Sequence, residues 1–140
     1  MPKTSGQTGL HVLIPMGPGV AFPTAKALVE LLGRILVSRH PDIATMERRV
    51  DHRGARVYVD TGQTGRSRTI VAPYSVRAVR GAGVSTPLFW DEVHAALDPS
   101  RHNLLTVPAR LVEIGDPVAE LLNVRPDIPQ AVRKLERFVD

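Results

Sequence analysis

With 140 residues, 43% of them hydrophobic, the chain has the size of one domain and the apolar content for one core, not for two independent ones. It has no cysteine, which excludes a disulfide framework, a thiolate nucleophile and a zinc–thiolate site, and suits a reducing cytosol. The formal charge of +4 is unevenly placed: eight arginines between Arg48 and Arg80 stand against Asp51 and Asp60, while the rest of the chain is net acidic by two. Arginine's planar fork suits phosphate oxygens, so this window reads either as a polyanion site or as a solvated arginine-rich surface. The N-terminus lacks the build of a signal peptide and no apolar run approaches a membrane span. The expectation is a soluble, cytoplasmic protein with no membrane partner.

In chain order, Thr4-Ser5-Gly6-Gln7-Thr8-Gly9 is a small polar loop that runs into the apolar stretch from Leu10. Two glycines three apart allow positive φ and close approach of a ligand to main-chain N–H groups, and three hydroxyls stand nearby, so the loop suits a phosphate. Residues 10–16 read as a buried strand that carries His11 and ends at Pro15 and Gly17-Pro18-Gly19. The spacing of Leu28, Leu31, Leu32, Ile35 and Leu36 predicts a helix over 24–39, closed before Pro41. Residues 42–54 read as a turn or short helix, and Ala55–Asp60 as a strand whose end carries Asp60 out of the core. After a connector rich in Gly, Thr and Arg, residues 69–74 read as a third strand, paired with the second as an antiparallel hairpin. Beyond Gly83, helices are expected over 90–97, 108–114, 117–122 and 129–139, the last three each beginning with a proline.

Several polar residues could act together. Ser5, His11, Arg53, Asp60 and Arg77 would make an anion site with one carboxylate, as a triphosphate and a metal ion need. Ser5, His11 and Asp60 could instead be nucleophile, base and orienting acid of a small hydrolase, although no Gly-x-Ser-x-Gly elbow surrounds Ser5. His11 could equally be a hydrogen-bonded histidine in a half-buried strand, and Asp60 a turn-former. The loop is not a Walker A sequence, since Gly9 is followed by Leu10.

Five ordered blocks carry a resemblance: Lys3-Thr4-Ser5-Gly6-x-x-Gly9-Leu10-His11-Val12; Val57-Tyr58-Val59-Asp60 with Gln63; Val71-Ala72-Pro73-Tyr74-Ser75-Val76-Arg77-Ala78; Val84-Ser85-Thr86-Pro87-Leu88; and Thr106-Val107-Pro108-Ala109-Arg110-Leu111. Together they resemble the polymerase domain of bacterial DNA ligase D, an end-joining member of the archaeo-eukaryotic primase superfamily. The resemblance implies an α/β (α+β) fold with a mainly antiparallel central sheet and flanking helices. It implies a partial primase-polymerase domain over 1–124 and a helical tail over 125–140. Ser5 and His11 match the positions that bind the phosphates of the incoming nucleotide, and Asp60 the catalytic carboxylate that positions a divalent metal, manganese or magnesium. Arg53, Gln63 and Arg77 match positions lining the nucleotide pocket.

The implied activity is nucleotidyl transfer from a nucleoside triphosphate to a primer 3′-hydroxyl in DNA repair. Implied partners are the triphosphate, DNA ends, a complementary polymerase half, a ligase or a second copy, in a nucleoid-associated setting. Two departures accompany the match. Thr8 stands where the family usually has lysine, and the family's Asp-x-Asp pair has no counterpart before Ser5. The chain is therefore expected to resemble the C-terminal half of that domain and to be inactive in polymerisation alone. A non-catalytic nucleotide- or DNA-end-binding module is the alternative, with the Ser5/His11 hydrolase as a third reading.

Overall fold

The computed structural model describes residues 1–138, whose backbone groups into two compact units. The first comprises Met1–Pro15 and Ile70–Arg125; the second comprises Met16–Thr69 and the segment from Pro126. Both mix helix and strand, in keeping with the α/β reading, and each unit contains a sheet of two strands.

In the first unit, β1 (Pro2–Thr4) and β2 (Leu10–Val12) form an antiparallel hairpin that places Lys3 opposite His11. What the sequence presents as loop is thus strand up to Thr4, and Pro2, Lys3 and Thr4 are all buried. Polar side chains tolerate burial when their hydrogen bonds are replaced, and here residues 84–88 replace them along the other edge of β1. The Thr4 N–H donates to Thr86 O (2.8 Å), and the Leu88 N–H donates to Pro2 O (3.0 Å). The Thr4 hydroxyl donates to Val84 O (2.8 Å) and accepts from the Thr86 N–H (2.9 Å). Val84, Leu88 and Val107 supply the buried apolar side chains beside this polar seam.

The predicted buried strand over 10–16 is shorter and more open: β2 stops at Val12, with Leu10 43% and Val12 55% exposed. Residues 69–74 form no strand. Their chain turns at Tyr74, which takes φ 65°, and the Ser75 N–H closes onto Ala72 O (3.2 Å). The helix expected over 90–97 is a single 3-10 turn, Trp90–Glu92. The Glu92 carboxylate caps the turn by accepting from the Phe89 N–H (2.7 Å), and His94 Nδ1 then accepts from the Ala96 N–H (3.2 Å), a local bond that competes with continuing the helix. Arg110 then ties this turn to α2 (Val107–Ile114), its Nη2 meeting both Glu92 oxygens at 2.7 and 2.6 Å. Next, α3 (Pro117–Asn123) starts with Asp116 accepting from the Val118 N–H (2.9 Å).

In the second unit, α1 (Phe22–Arg39) realises the predicted helix, with Pro23 in its first turn. Its buried positions are Ala25, Leu28 and Gly33, while Leu36 of the predicted stripe is 46% exposed. Gly33 matters for packing, because a Cβ there would stand 2.8 Å from the Thr61 methyl and 3.4 Å from Met46 Sδ. The helix leads to β3 (Ala44–Thr45), which the sequence hid within polar residues 42–54. Its partner is β4 (Val57–Tyr58), the middle of the predicted strand, and the two pair in parallel, Ala44 opposite Val57. The expected antiparallel hairpin with residues 69–74 is thus replaced by a parallel pair. Residues 46–56, with a 3-10 turn at Val50–His52, supply the crossover that parallel strands require. The C-terminal helix α4 (Ile128–Glu136) is capped by Asp127, which accepts from the Gln130 N–H (2.8 Å). Val139, the expected end of that helix, lies outside the described residues.

Candidate functional site

The site residues read from the sequence divide between the units: Ser5, His11 and Arg77 belong to the first, Arg53, Asp60 and Gln63 to the second.

In the first unit the hairpin loop closes on Ser5. The Ser5 N–H donates to Gly9 O (2.8 Å), and Ser5 Oγ accepts from the N–H groups of Gln7 (3.2 Å) and Gly9 (3.1 Å). Two of the main-chain N–H groups expected to face a phosphate are therefore turned onto the serine oxygen. That oxygen, its lone pairs engaged, keeps its own proton to donate. The loop rests on Arg77: Gly6 takes φ 75°, and a Cβ there would lie 2.5 Å from Arg77 Cγ and 3.1 Å from the Ser85 nitrogen. The Arg77 N–H in turn donates to Gly83 O (2.8 Å). Glycine's missing side chain is what lets the loop settle on the arginine stem.

Behind the loop, Lys3 is fully buried and bonds Ser85 Oγ at 2.5 Å and His11 Nδ1 at 3.0 Å. Burial, with Arg77's positive charge added, draws its ammonium down to about 8. Sequence reasoning missed Lys3 and Ser85 as site residues. The available signal was a hairpin: Pro2–Thr4 and Leu10–Val12 flank five residues holding two glycines, which puts Lys3 across from His11.

A second polar cluster lies farther along this unit. The Tyr74 hydroxyl donates to Asp116, and burial followed by that bond raises its pKa well above the ordinary tyrosine range. His102 is shifted down, first by burial and then by Arg110.

In the second unit a concavity of about 1190 Å³ brings Arg53, Asp60 and Gln63 together. Lys26, Arg48, Arg66 and Arg68 add to its wall, against Glu30 as the other acid, so the lining is basic. The arginine-rich window is therefore in part a concave cationic surface, which favours an anion over mere solvation. Not all its arginines are available. Arg53 donates to the carbonyls of Glu47 (2.8 Å) and Arg48 (2.6 Å) and lies 4.0 Å over the Tyr58 ring, Arg56 donates to Arg53 O and His52 O, and Arg49 pairs with Asp51 at 2.8 Å. Asp60 is exposed, and its Oδ1 accepts from the Gly62 N–H (2.8 Å), an Asx turn at the foot of the connector.

The first unit thus holds a serine loop on an arginine stem and the second a carboxylate in a basic hollow, and similarity to known proteins gives the family. The family described as LigD, primase-polymerase domain, matches residues 1–118, and the chain belongs to it. The chain is 30% identical over 129 residues to the bifunctional non-homologous end joining protein LigD of Bacillus subtilis, covering 91% of this chain and 21% of that protein. It is 33% identical over 138 residues to the multifunctional non-homologous end joining protein LigD of Pseudomonas aeruginosa, covering 94% of this chain and 16% of that one. Among solved structures, the polymerase domain from Mycobacterium tuberculosis ligase D in complex with DNA superposes with a TM-score of 0.80 at 30% identity, over 89% of this chain and 43% of that one. The chain thus spans about a fifth or less of these curated relatives and under half of the solved domain.

Proposed function

We propose that this chain supplies the nucleotide-phosphate-binding part of a primase-polymerase site that serves bacterial non-homologous end joining. In the first unit Ser5, His11 and Arg77 are the phosphate ligands; in the second, Arg53 and Gln63 are the pocket residues and Asp60 is the carboxylate. The observation that carries this reading is the seating of the Ser5–Gly9 loop on the stem of Arg77, with His11 fixed in the same unit by Lys3. It gives one unit a hydroxyl, an imidazole and a guanidinium, the donors that phosphate oxygens accept. The names of the relatives add end joining, and the solved M. tuberculosis domain adds DNA as the ligand class. The basic concavity of the second unit suits DNA phosphates or the nucleotide equally.

The hydrolase reading loses support. A serine hydrolase needs a carboxylate at histidine Nδ1 to orient the base. Here Nδ1 meets an ammonium, and Ser5 is the acceptor that closes its own turn.

A divalent metal does not fit the donors of the described residues by themselves. A hard cation takes about six oxygen ligands, usually with more than one carboxylate. Asp60 offers one carboxylate with one oxygen already on the Gly62 N–H, and among the described residues no three His, Cys, Asp or Glu stand together as a metal-holding group. Primer extension requires further carboxylates from a complementary polymerase segment, which the exposed Leu10, Val12 and Ile14 of the first unit could help to seat.

Calorimetric titration with a nucleoside triphosphate tests the binding reading. The wild-type chain binds, and His11→Ala weakens binding about tenfold or more, the loss of one charge-assisted hydrogen bond. Equal affinity in both, or none in either, overturns it. Primer extension with manganese and ribonucleotides gives no template-dependent product from this chain alone, and robust extension overturns the need for a second segment. The missing carboxylate cluster also favours a second reading, a binding module without catalysis. In that case the chain binds DNA ends with a steep salt dependence, and Asp60→Asn costs little of that binding.

A further inference from the structure

We propose that Lys3 is a positioning residue for His11: its buried ammonium, anchored on Ser85, donates to Nδ1 and so holds the imidazole as the neutral tautomer with its proton on Nε2. An ammonium has three donors and no acceptor, so a nitrogen facing it must accept. The direction of the chain of bonds is fixed from its far end. Ser85 Oγ donates its only proton to Thr4 O (2.9 Å), so toward Lys3 it can only accept. Lys3 then directs another proton at His11 Nδ1, 3.0 Å away. With Nδ1 accepting, the ring proton stands on Nε2.

The surroundings reinforce the arrangement. Lys3 has no exposed surface, and β2 and residues 84–88 cover both edges of its strand. None of the ion pairs among the described residues involves it, and the charged group that acts on it is Arg77, also positive. Protonating Nδ1 would place an N–H against the N–H of the Lys3 ammonium, so while Lys3 holds this bond Nδ1 carries no proton.

The inference deepens the reading of His11 as a phosphate ligand and rests on it: a neutral ring with its proton on Nε2 meets a phosphate oxygen as a donor, in one orientation. Lys3 itself is not assigned any contact with the nucleotide.

The test is nitrogen-15 NMR of histidine-labelled protein, with the His11 signals identified by their loss in His11→Gln. At pH 7 the wild type shows His11 as the Nε2–H tautomer. In Lys3→Met, which keeps most of the buried stem, His11 populates both tautomers. A wild-type ring protonated on Nδ1, or a Lys3→Met spectrum with unchanged tautomer, overturns the proposal. Should Lys3→Met fail to fold, the wild type carries the test by itself. A ring protonated on Nδ1 at pH 7 is then the overturning result. Calorimetry separates the two layers: the tautomer result with no effect of His11→Ala on triphosphate binding sinks the nucleotide reading and leaves the Lys3–His11 assignment standing.

Discussion

The two units of this molecule organise polar residues in opposite ways. In the first, Lys3, Thr4, Ser85 and Thr86 are among the most deeply buried side chains, and each is tied to backbone or to another side chain. In the second, helix α1 packs through Ala25, Leu28 and Gly33, and apart from the buried Thr45 the polar residues lie on the unit's surface or only partly covered, several of them in an open, basic hollow. Buried hydrogen-bond networks cost stability when incomplete and hold one geometry when complete. The first unit is accordingly built to fix a few donors in place, whereas the second presents cationic surface whose exact geometry is less constrained. Recognition of a phosphate group at fixed distances suits the former, and attraction of a polyanion suits the latter.

Glycine substitutions give the sharpest contrast. Gly6→Val drives a side chain into Arg77 Cγ and Ser85 at a positive φ, a clash and a backbone strain together worth about 3 kcal/mol or more. Gly19→Ala shares the positive φ of 84° but meets nothing within 4 Å, so it costs about 1 kcal/mol. Urea denaturation measures both, and equal losses would break the distinction between a docked loop and an open one. Glu92→Gln comes next. It neutralises the partner of Arg110, whose side chain is only 14% exposed, and a partly buried pair of this kind loses about 2 kcal/mol when one member is removed. The same melts check it.

Surface cations should act on binding and leave folding alone. Replacing Arg66 and Arg68 by alanine leaves the urea midpoint within error and lowers affinity for a DNA duplex end, with the salt slope of binding reduced by roughly 2 if both contact phosphates. An unchanged slope would return these arginines to the solvated-surface reading. Thr8→Lys supplies the charge that the family usually has in this loop and should tighten triphosphate binding several-fold at low salt, an effect that fades as salt screens it.

The smallest effect is one of pH. Lys3 has a folded pKa of about 8 against an ordinary 10.5. Between these values the unfolded chain holds a proton that the folded chain lacks, so stability rises with pH from about 8 toward 10. Tyr74 acts the other way above pH 10, because its pKa is raised by folding and the unfolded chain loses its proton first. Comparing urea midpoints at pH 7.5 and 9.5 should show a gain in the wild type that Lys3→Met abolishes.

The sequence by itself determined the elements whose signals are local. The apolar spacing of Leu28 to Leu36 gave α1, and prolines in the first turn marked the starts of α2, α3 and α4. The ordered blocks from Lys3 to Leu111 were enough for the family, since they are strings of identities and need no coordinates. The strand partners were not legible. Ala44–Thr45, the partner of Val57–Tyr58, is too short and too polar in its surroundings to stand out, and residues 69–74 form no strand but turn at Tyr74. Nor could composition show that the lysine before the serine loop is the most buried charge in the unit. Its environment comes from residues some eighty positions away, and only the tertiary fold, by laying Val84–Leu88 along β1, supplies the hydrogen bonds that let Lys3 sit there and face His11.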